Sequence, residues 1–435
     1  MLKCLFQIRI ISCINNLLMK RRKFITRSSS VIAGIPFINK VLDTSLNSLV
    51  DTDDIKEYLS RILYTKEEVD GWFSGKLFPF SKFHSEFGWL LNNNSFRDGI
   101  NNSWSVYTYR GTDGERIMSN YRDKPCRINT YGNSFTMCHQ VSDNETWQEV
   151  LAAHIQEPVK NFGIGGWSVY QAFLRMLKEE KGTPANFIIF NIYDDDHYRN
   201  LDSWRNIRVK KHPQHIEATL PFLKVDVKNN KITDNSNPCP THQSYYNLCD
   251  LGLAYNLFKD DFALKIMIAH EKSAVSNPQK QYESLMELSK THGIETRVDT
   301  GSTISEAADQ IHKEAAIFSS CRLVERIEEY TKINRKKVLY VLSYPASYIA
   351  SHHSSGERWD QKFIDFMTGK NLPLIDLSQK HLDDFSSYKT DIKSYLAKYF
   401  VGHYNPLGNF FCAHAIRDKL VEMIDPKPIP YVVRT

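Results

Sequence analysis

The 435-residue chain lacks several features that would mark out common classes of protein. Its eight cysteines include no Cys-x-x-Cys pair, so the sequence gives no support for a structural zinc site. No apolar run reaches the roughly 18–20 uninterrupted residues that a membrane-spanning helix needs. There is also no internal repeat and no low-complexity tract. The remaining composition, 42% hydrophobic and 24% charged, is that of an ordinary globular protein.

Acidic residues are missing from positions 1–40, which hold eight Lys and Arg. Removing those eight from the total of 55 leaves 47 basic side chains against 50 acidic ones, so the formal charge of +5 comes from the amino terminus. A slightly acidic body gives no electrostatic reason to expect nucleic-acid binding.

The basic amino terminus is typical of a targeting segment. Residues 19–26, MKRRKFIT, resemble a twin-arginine export signal, and a short, mildly apolar region follows. We therefore predict that residues 1–40 are an export signal or an uncleaved anchor, which implies a periplasmic or other extracytoplasmic protein, with membrane association through this segment left open. A basic surface tail on a cytosolic protein is the alternative. In an exported protein Cys239 and Cys249 could form a disulfide, although two separate thiols fit equally well.

Hydrophobic periodicity predicts an α/β protein. Strand-like runs at 126–131, 159–162, 187–191, 338–343 and 372–377 alternate with helical patterns. Strands that alternate with helices favour a parallel, doubly wound sheet. The pattern also predicts a helical lead-in at 41–80, an irregular segment at 81–125 and a β-hairpin within 219–235.

Ser134 follows a strand on a turn that is preceded by glycine, in the sequence Gly132-Asn133-Ser134-Phe135-Thr136. The carboxyl end of a strand that opens toward a helix is where α/β sheets expose reactive groups. A serine that simply caps a helix is the plainer interpretation. His139, five residues later, is expected to be a packing or surface residue rather than a base.

Two further stretches occupy comparable positions. Asn161-Phe162-Gly163-Ile164-Gly165-Gly166 lies between a strand and a helix, where free N–H groups suit a negative oxygen. It lacks the Gly-x-Gly-x-x-Gly register, so a dinucleotide site is not expected. His403 stands late in the chain on a loop before Asn405 and Pro406, a plausible setting for a general base.

Asp194, Asp195 and Asp196 follow the most buried-looking strand. Three carboxylates beside a histidine could suggest a metal, but adjacent residues rarely converge on one ion. We therefore predict no metal site and no organic cofactor.

Together these blocks resemble the SGNH/GDSL hydrolase superfamily. Its Gly-(Asp/Asn)-Ser block is matched at 132–136, its Asn-x-Gly-x-x-Gly block at 161–166, and its final His block at 403–408. The resemblance covers roughly residues 85–200 and 335–425. It implies a flavodoxin-like three-layer sandwich with a mostly parallel central sheet, and a hydrolase domain at 126–425 with an insertion at about 203–260.

The resemblance also implies the residue roles. Ser134 would be the nucleophile and His403 the general base, with the backbone N–H groups of Ser134 and Gly166 in the oxyanion hole. The family's third block, Gly-x-Asn-Asp, has no clear counterpart, since Asp194, Asp195 or Asp196 falls there and an ionised carboxylate cannot donate a hydrogen bond. Asn191, Tyr193, His197 or Asn200 could donate instead, and the sequence does not choose between them.

The acid that the family places two or three residues before its histidine is also missing, because Val401 and Phe400 stand there. Either a carboxylate from elsewhere in the chain orients His403, or a backbone carbonyl does so and the centre is a Ser-His dyad. The expected activity is cleavage of a small-molecule or carbohydrate ester through an acyl-serine. The alternatives are O-acetyl transfer to a polysaccharide and a degenerate carbohydrate-binding protein without turnover.

Overall fold

The computed structural model describes residues 52–209, 211, 215–272, 278–295 and 303–432. The predicted export signal lies outside these residues. Within them, no helix combines the length and the apolar character needed to cross a bilayer. The cysteines in this part of the chain are unpaired, so Cys239 and Cys249 are separate thiols.

The strands are short except for two that run through the middle of the protein. They are Ser81–His84 (β1), Gly88–Leu91 (β2), Asn94–Arg97 (β3), Trp104–Tyr107 (β4), Ile128–Tyr131 (β5), Lys160–Asn161 (β6), Phe187–Tyr193 (β7), Phe222–Asp226 (β8), Lys231–Asn235 (β9), Lys337–Ser343 (β10) and Leu374–Asp376 (β11).

The helices range from single turns to the 30-residue helix that precedes β10. They are Thr52–Ser60 (α1), Lys66–Phe73 (α2), Ser134–Met137 (α3), Trp147–Ile155 (α4), Val169–Gly182 (α5), Asp196–Arg199 (α6), Arg205–Arg208 (α7), His242–Tyr245 (α8), Leu251–Phe258 (α9), Phe262–Lys272 (α10), Pro278–Thr291 (α11), Ile304–Ile333 (α12), Ala346–Ser355 (α13), Gln361–Gly369 (α14), Leu377–Phe385 (α15), Ile392–Leu396 (α16) and Pro406–Met423 (α17).

Five parallel strands form the central sheet, in the order β11-β10-β7-β5-β6. Numbered by their order in the chain, these strands run 2-1-3-4-5 across the sheet, which is the flavodoxin-like order. The predicted α/β fold with a parallel central sheet is therefore confirmed. β6 and β7 lie on opposite sides of β5, so the switch point of the sheet is between β5 and β7. The carboxyl ends of these two strands border the crevice where such folds place ligands.

The centre of the sheet follows from its sequence. β7 reads FIIFNIY, and every residue before Tyr193 is buried, as expected of a parallel strand with helices on both faces. α12 packs on β10 and contacts α5 and α14, whereas α17 packs on β10 and contacts α4 and α15. Right-handed crossovers place these two groups on opposite faces, which gives three layers.

The segment at 81–125, predicted to be irregular, instead contains two antiparallel ribbons, β1–β2 and β3–β4. Strands of four residues are too short to reveal a reliable alternation in sequence. The hairpin predicted within 219–235 is confirmed as β8–β9. The predicted domain boundaries stay a prediction.

A second hydrophobic core joins the lead-in helices to the residues that follow α6. The Tyr58 hydroxyl donates to the carbonyl of Ile207 at 2.6 Å, and the rings of Trp72 and Tyr245 lie 5.1 Å apart. Met137, Ile164 and Trp167 belong to the same core. The lead-in and the predicted insertion therefore share one core with residues of the loops that follow β5 and β6.

Candidate active site

Ser134 begins α3, directly beyond the end of β5. The turn requires Gly132, whose φ is +149°, because a Cβ atom there would lie 2.5 Å from the carbonyl oxygen of Asn191. Asn133 caps the helix by accepting a hydrogen bond from the N–H of Phe135 at 2.8 Å. The turn thus holds Ser134 at the switch point of the sheet, with 7% of its surface exposed.

His403 lies on the loop between α16 and α17, and its Nε2 stands 2.8 Å from the Ser134 Oγ. Asn405 fixes the start of α17 by accepting a hydrogen bond from the N–H of Gly408 at 2.9 Å. The two residues expected to be nucleophile and base are therefore brought together, although 269 positions separate them. A hydroxyl within hydrogen-bond distance of an imidazole is the arrangement in which a base can take the serine proton.

Gln140 supplies the group that orients His403. Its Oε1 accepts a hydrogen bond from the His403 backbone N–H at 2.7 Å and lies 3.3 Å from Nδ1. Because Oε1 can only accept, Nδ1 carries the proton and Nε2 is left as the acceptor that faces Ser134. An amide therefore occupies the position that a carboxylate takes in a Ser-His-Asp triad.

Gln140 is itself fixed at several points. Its Nε2 donates to the carbonyl of Asp98 at 2.9 Å and to that of Val401 at 3.3 Å. Its backbone N–H donates to the Tyr107 hydroxyl at 2.7 Å. Gly402 leaves room for the amide, since a Cβ there would lie 2.6 Å from Oε1. The two donations by Nε2 also settle which end of the amide faces His403.

Arg116 anchors the segment that carries Gln140. Its buried guanidinium donates to the carbonyls of Met137 and Val141, both at 2.6 Å, and to the carbonyl of Val106 on β4 at 3.0 Å. Asp143 pairs with the same guanidinium at 2.8 Å. A buried arginine with its donors satisfied in this way ties the β3–β4 hairpin to the loop after α3.

His139, expected from the sequence to be a packing or surface residue, lies next to His403. Its ring lies 4.9 Å from the ring of His403, and its Nε2 is 3.1 Å from a carboxylate oxygen of Asp98. The side chains of His139 and Asp98 are 26% and 23% exposed. A second imidazole–carboxylate pair therefore stands beside the Ser134–His403 pair.

Free backbone donors are available around Ser134. Within the described residues, the N–H groups of Ser134, Gly165 and Gly166 have no acceptor. Gly165 is adjacent to the serine, since a Cβ there would lie 3.8 Å from the Ser134 Cβ. Gly166 follows with φ at +81°, between Trp89 and Arg205. Free N–H groups of this kind suit a developing oxyanion. Gly165 is therefore a further candidate donor besides Ser134 and Gly166, whose role stays a prediction.

Asp194, Asp195 and Asp196, which follow β7, each bind groups other than Ser134. Asp194 accepts from the Trp359 indole at 2.5 Å. Arg208 binds both oxygens of Asp195 at 2.7 and 3.0 Å, and although burial alone would raise the pKa of Asp195, Arg208 and Arg199 hold it well below its ordinary value. None of these contacts aims a carboxylate at Ser134.

Asp196 ties the turn of the serine to the end of β7. It accepts hydrogen bonds from the Asn133 side chain at 2.5 Å, the Tyr193 N–H at 2.9 Å and Arg199 at 2.7 Å. Burial raises the pKa of Asp196 to about 7, against the opposing effect of Arg199 and the N–H donors. Asp196 thus links Asn133 to the end of β7, and both of its oxygens are occupied by these donors.

None of the proposed substitutes for the third-block asparagine is hydrogen-bonded to Ser134 in the described structure. His197 and Asn200 both bind the Ser320 hydroxyl. The Asn191 side chain accepts from the Ser343 hydroxyl at 2.9 Å, and its buried Nδ2 has no partner. The ring of Tyr193 stacks on Phe135 at 4.9 Å. Tyr193 therefore positions the neighbour of the nucleophile.

The surroundings of His403 favour its neutral form. Burial is the largest cause that lowers its pKa well below the ordinary value, followed by the proximity of His139 and Arg199, whereas Asp98 acts in the opposite direction. A neutral imidazole at physiological pH is the form that can accept a proton from a serine.

Sequence reasoning did not find Gln140 or Asp98. Gln140 lies six residues after Ser134 and Asp98 lies in the segment read as irregular, so no local pattern connects either with His403. The gap at positions 400 and 401 was the signal that a replacement for the acid existed. Within the described residues, no group of three His, Cys, Asp or Glu side chains is placed to hold a metal ion.

No family model matches the chain, and no curated protein matches it. Among solved structures it is similar to a protein from Desulfitobacterium hafniense assigned to a G-D-S-L lipolytic family, at 8% identity over 67% of this chain and 98% of that one, with a TM-score of 0.29. It is also similar to a protein from Lactobacillus plantarum, at 11% identity over 70% of this chain and 99% of that one, with a TM-score of 0.28. Likeness at this level carries no weight for function, which has to be argued from the site.

Proposed function

We propose that this protein is a serine hydrolase of the SGNH type that cleaves an ester through a covalent acyl-Ser134 intermediate. The distance of 2.8 Å between the Ser134 Oγ and the His403 Nε2, at the switch point of the sheet, carries the proposal. The free N–H groups of Ser134, Gly165 and Gly166 support it.

The first half of the reaction forms the acyl-enzyme. The His403 Nε2 takes the proton of Ser134 as its Oγ bonds to the ester carbonyl carbon, and the carbonyl oxygen becomes an oxyanion beside the free N–H groups. When the tetrahedral intermediate collapses, the bond to the alcohol oxygen breaks and His403 gives the proton to that oxygen. In the second half, water loses its proton to His403, attacks the acyl carbon and releases Ser134.

The acyl group is expected to be short. Ser134 is only 7% exposed, and the aromatic rings of Phe135 and Tyr193 stack beside it, which leaves little room for a long chain. We propose an acetyl or similarly small acyl group on a small molecule or a carbohydrate, with no nucleic acid and no cofactor involved.

A second candidate is a degenerate member that binds carbohydrate without turnover. The amide of Gln140 favours this alternative, because an uncharged group stabilises the imidazolium formed during catalysis less than a carboxylate does. O-acetyl transfer differs from hydrolysis only in the acceptor, so the identity of the product distinguishes those two.

A fluorophosphonate probe and an aryl acetate separate these possibilities. We expect the wild type to be labelled and to release the aryl alcohol, Ser134→Ala to do neither, and Ser387→Ala, which changes an exposed serine, to behave as wild type. Absence of labelling in the wild type would favour the non-catalytic alternative. Acetyl recovered on an added oligosaccharide rather than as acetate would favour transfer.

We also propose that the protein is exported through the twin-arginine-like segment at 19–26. The basic pair Arg21 and Arg22 is the feature that such a signal requires. Replacing both with Lys should leave the protein in the cytoplasm in a cell-fractionation experiment. Unchanged distribution would contradict export by this route.

A further inference from the structure

Asp98 is connected with His403 in two separate ways, each through one intervening residue. Its carboxylate Oδ2 is 3.1 Å from the Nε2 of His139, whose ring is 4.9 Å from that of His403. Its carbonyl accepts from the Gln140 Nε2 at 2.9 Å, and the other end of that amide accepts from the His403 N–H at 2.7 Å. A single residue of the β3–β4 hairpin therefore supports both groups that flank the imidazole.

Asp98 is held in place by the hairpin. The Tyr107 hydroxyl donates to its Oδ2 at 3.0 Å and accepts from the Gln140 N–H at 2.7 Å. The Tyr107 hydroxyl thus fixes both the carboxylate of Asp98 and the backbone N–H of Gln140. A change in the position of the hairpin would be transmitted to His403 through both routes.

The carboxylate of Asp98 is also kept ionised by its surroundings. Burial alone would raise its pKa, but hydrogen bonds from His139, Ser105 and Tyr107 hold the pKa of Asp98 below its ordinary value. Asp98 therefore carries a negative charge next to the two groups that flank His403.

The negative charge of Asp98 has a use in the chemistry of the base, His403. When His403 accepts the serine proton it becomes positively charged, and the amide of Gln140 offers no opposite charge. A carboxylate in the neighbouring shell attracts the imidazolium even without direct contact. Among the groups that affect His403, burial, His139 and Arg199 lower its pKa and Asp98 raises it.

We propose that Asp98 is the positioning carboxylate of this centre. It acts on His403 through His139, and through Tyr107 and Gln140, instead of by contact with the imidazole itself. The inference rests on the proposed function. It assigns a place in the reaction to the hairpin, which lies outside the parallel sheet.

The test is Asp98→Asn in two backgrounds, wild type and Gln140→Glu. In the wild type we expect kcat on an aryl acetate to fall about 10- to 100-fold with KM unchanged, a part of what a positioned base contributes. Gln140→Glu places a carboxylate directly beside His403 but loses the two hydrogen bonds that the amide gives to the carbonyls of Asp98 and Val401. Relative to Gln140→Glu alone, adding Asp98→Asn should therefore cost less than about 3-fold. An equal loss in both backgrounds would overturn the proposal.

The pKa of His403, measured by NMR of labelled imidazole, gives a readout that does not need turnover. Asp98→Asn should lower it, whereas Asp143→Asn, which removes another hairpin-anchoring carboxylate, should leave it unchanged. An unchanged pKa of His403 in Asp98→Asn would contradict a role for the charge. If the wild type fails to react with the fluorophosphonate, the proposed function fails, while the pKa measurement still decides whether Asp98 acts on His403.

Discussion

The two halves of the candidate centre are built in different ways. Ser134 is placed by a short stretch of chain, with Gly132 fitted against β7 and Asn133 capping the helix. His403 is placed by residues far apart in sequence, since Gln140 binds it and Asp98 and Tyr107 bind Gln140. The nucleophile therefore depends on a local motif and the base on a tertiary network.

This difference bears on how each half can vary. A strand end and a glycine turn fix backbone geometry, so few residues can replace Gly132 or Ser134. Orientation of an imidazole needs only one acceptor near Nδ1, which several elements of a fold can supply. Here the β3–β4 hairpin and the loop after α3 supply it in place of positions 400 and 401.

The largest effect is expected at the nucleophile. Ser134→Ala should lower kcat by about 10⁴-fold or more, because residual rates after loss of such a serine come from binding and the oxyanion hole alone. Its thermal midpoint should stay close to that of the wild type, since one hydrogen bond contributes only about 1 kcal/mol. A loss of less than about 100-fold would show that another group is the nucleophile.

The turn beneath the serine should be nearly as sensitive. Gly132→Ala places a Cβ 2.3 Å from the Thr136 hydroxyl and 2.5 Å from the Asn191 carbonyl, at a φ of +149°. We expect a loss of about 3 kcal/mol or more in the free energy of unfolding, measured by denaturant titration. Gly182→Ala, with no atom within 4 Å at the end of α5, should be neutral or stabilising. Equal effects would contradict the close fit of the turn.

The base should respond through its pH dependence. Burial holds the pKa of His403 well below its ordinary value, so the acid limb of kcat/KM should lie below about pH 6.5. Activity falls as the pH drops through this pKa, because imidazolium cannot accept a proton. Gln140→Glu should move the limb to higher pH by about one unit or more, since a nearby carboxylate favours the charged imidazole.

Gln140→Ala provides the matched comparison for that shift. It should lower kcat about 10- to 100-fold, part of the contribution of a positioned base, without moving the acid limb upward. An unshifted limb in Gln140→Glu would mean that the side chain does not reach His403 in solution.

The smallest effect on activity is expected at the contact between Trp359 and Asp194. Trp359→Phe removes the indole donor from Asp194 and should cost about 1–3 kcal/mol of stability, as hydrogen bonds to charged groups do. The value of kcat should change less than about 3-fold. A fall as large as that of Gln140→Ala would place Asp194 in the catalytic machinery.

Prediction from the sequence succeeded where patterns are local and periodic. The apolar run at 187–191 indicated the central strand, and the turn around residues 228–231 indicated the β8–β9 hairpin. It was wrong at 81–125, where four-residue strands form ribbons. The third-block aspartates also lay beyond its reach, since each carboxylate is engaged by a tryptophan, an arginine or an amide from another element.

The sequence by itself determined the parallel α/β fold. It also determined that Ser134 and the glycine turn follow strand ends and that His403 precedes a helix. Hydrophobic period and turn chemistry are properties of neighbouring residues, so both can be read along the chain. Only the tertiary structure decided that Gln140 faces His403, and that Asp98, from a hairpin outside the sheet, supports it. Contacts of that kind depend on which distant elements the core brings together, and no spacing along the chain records them.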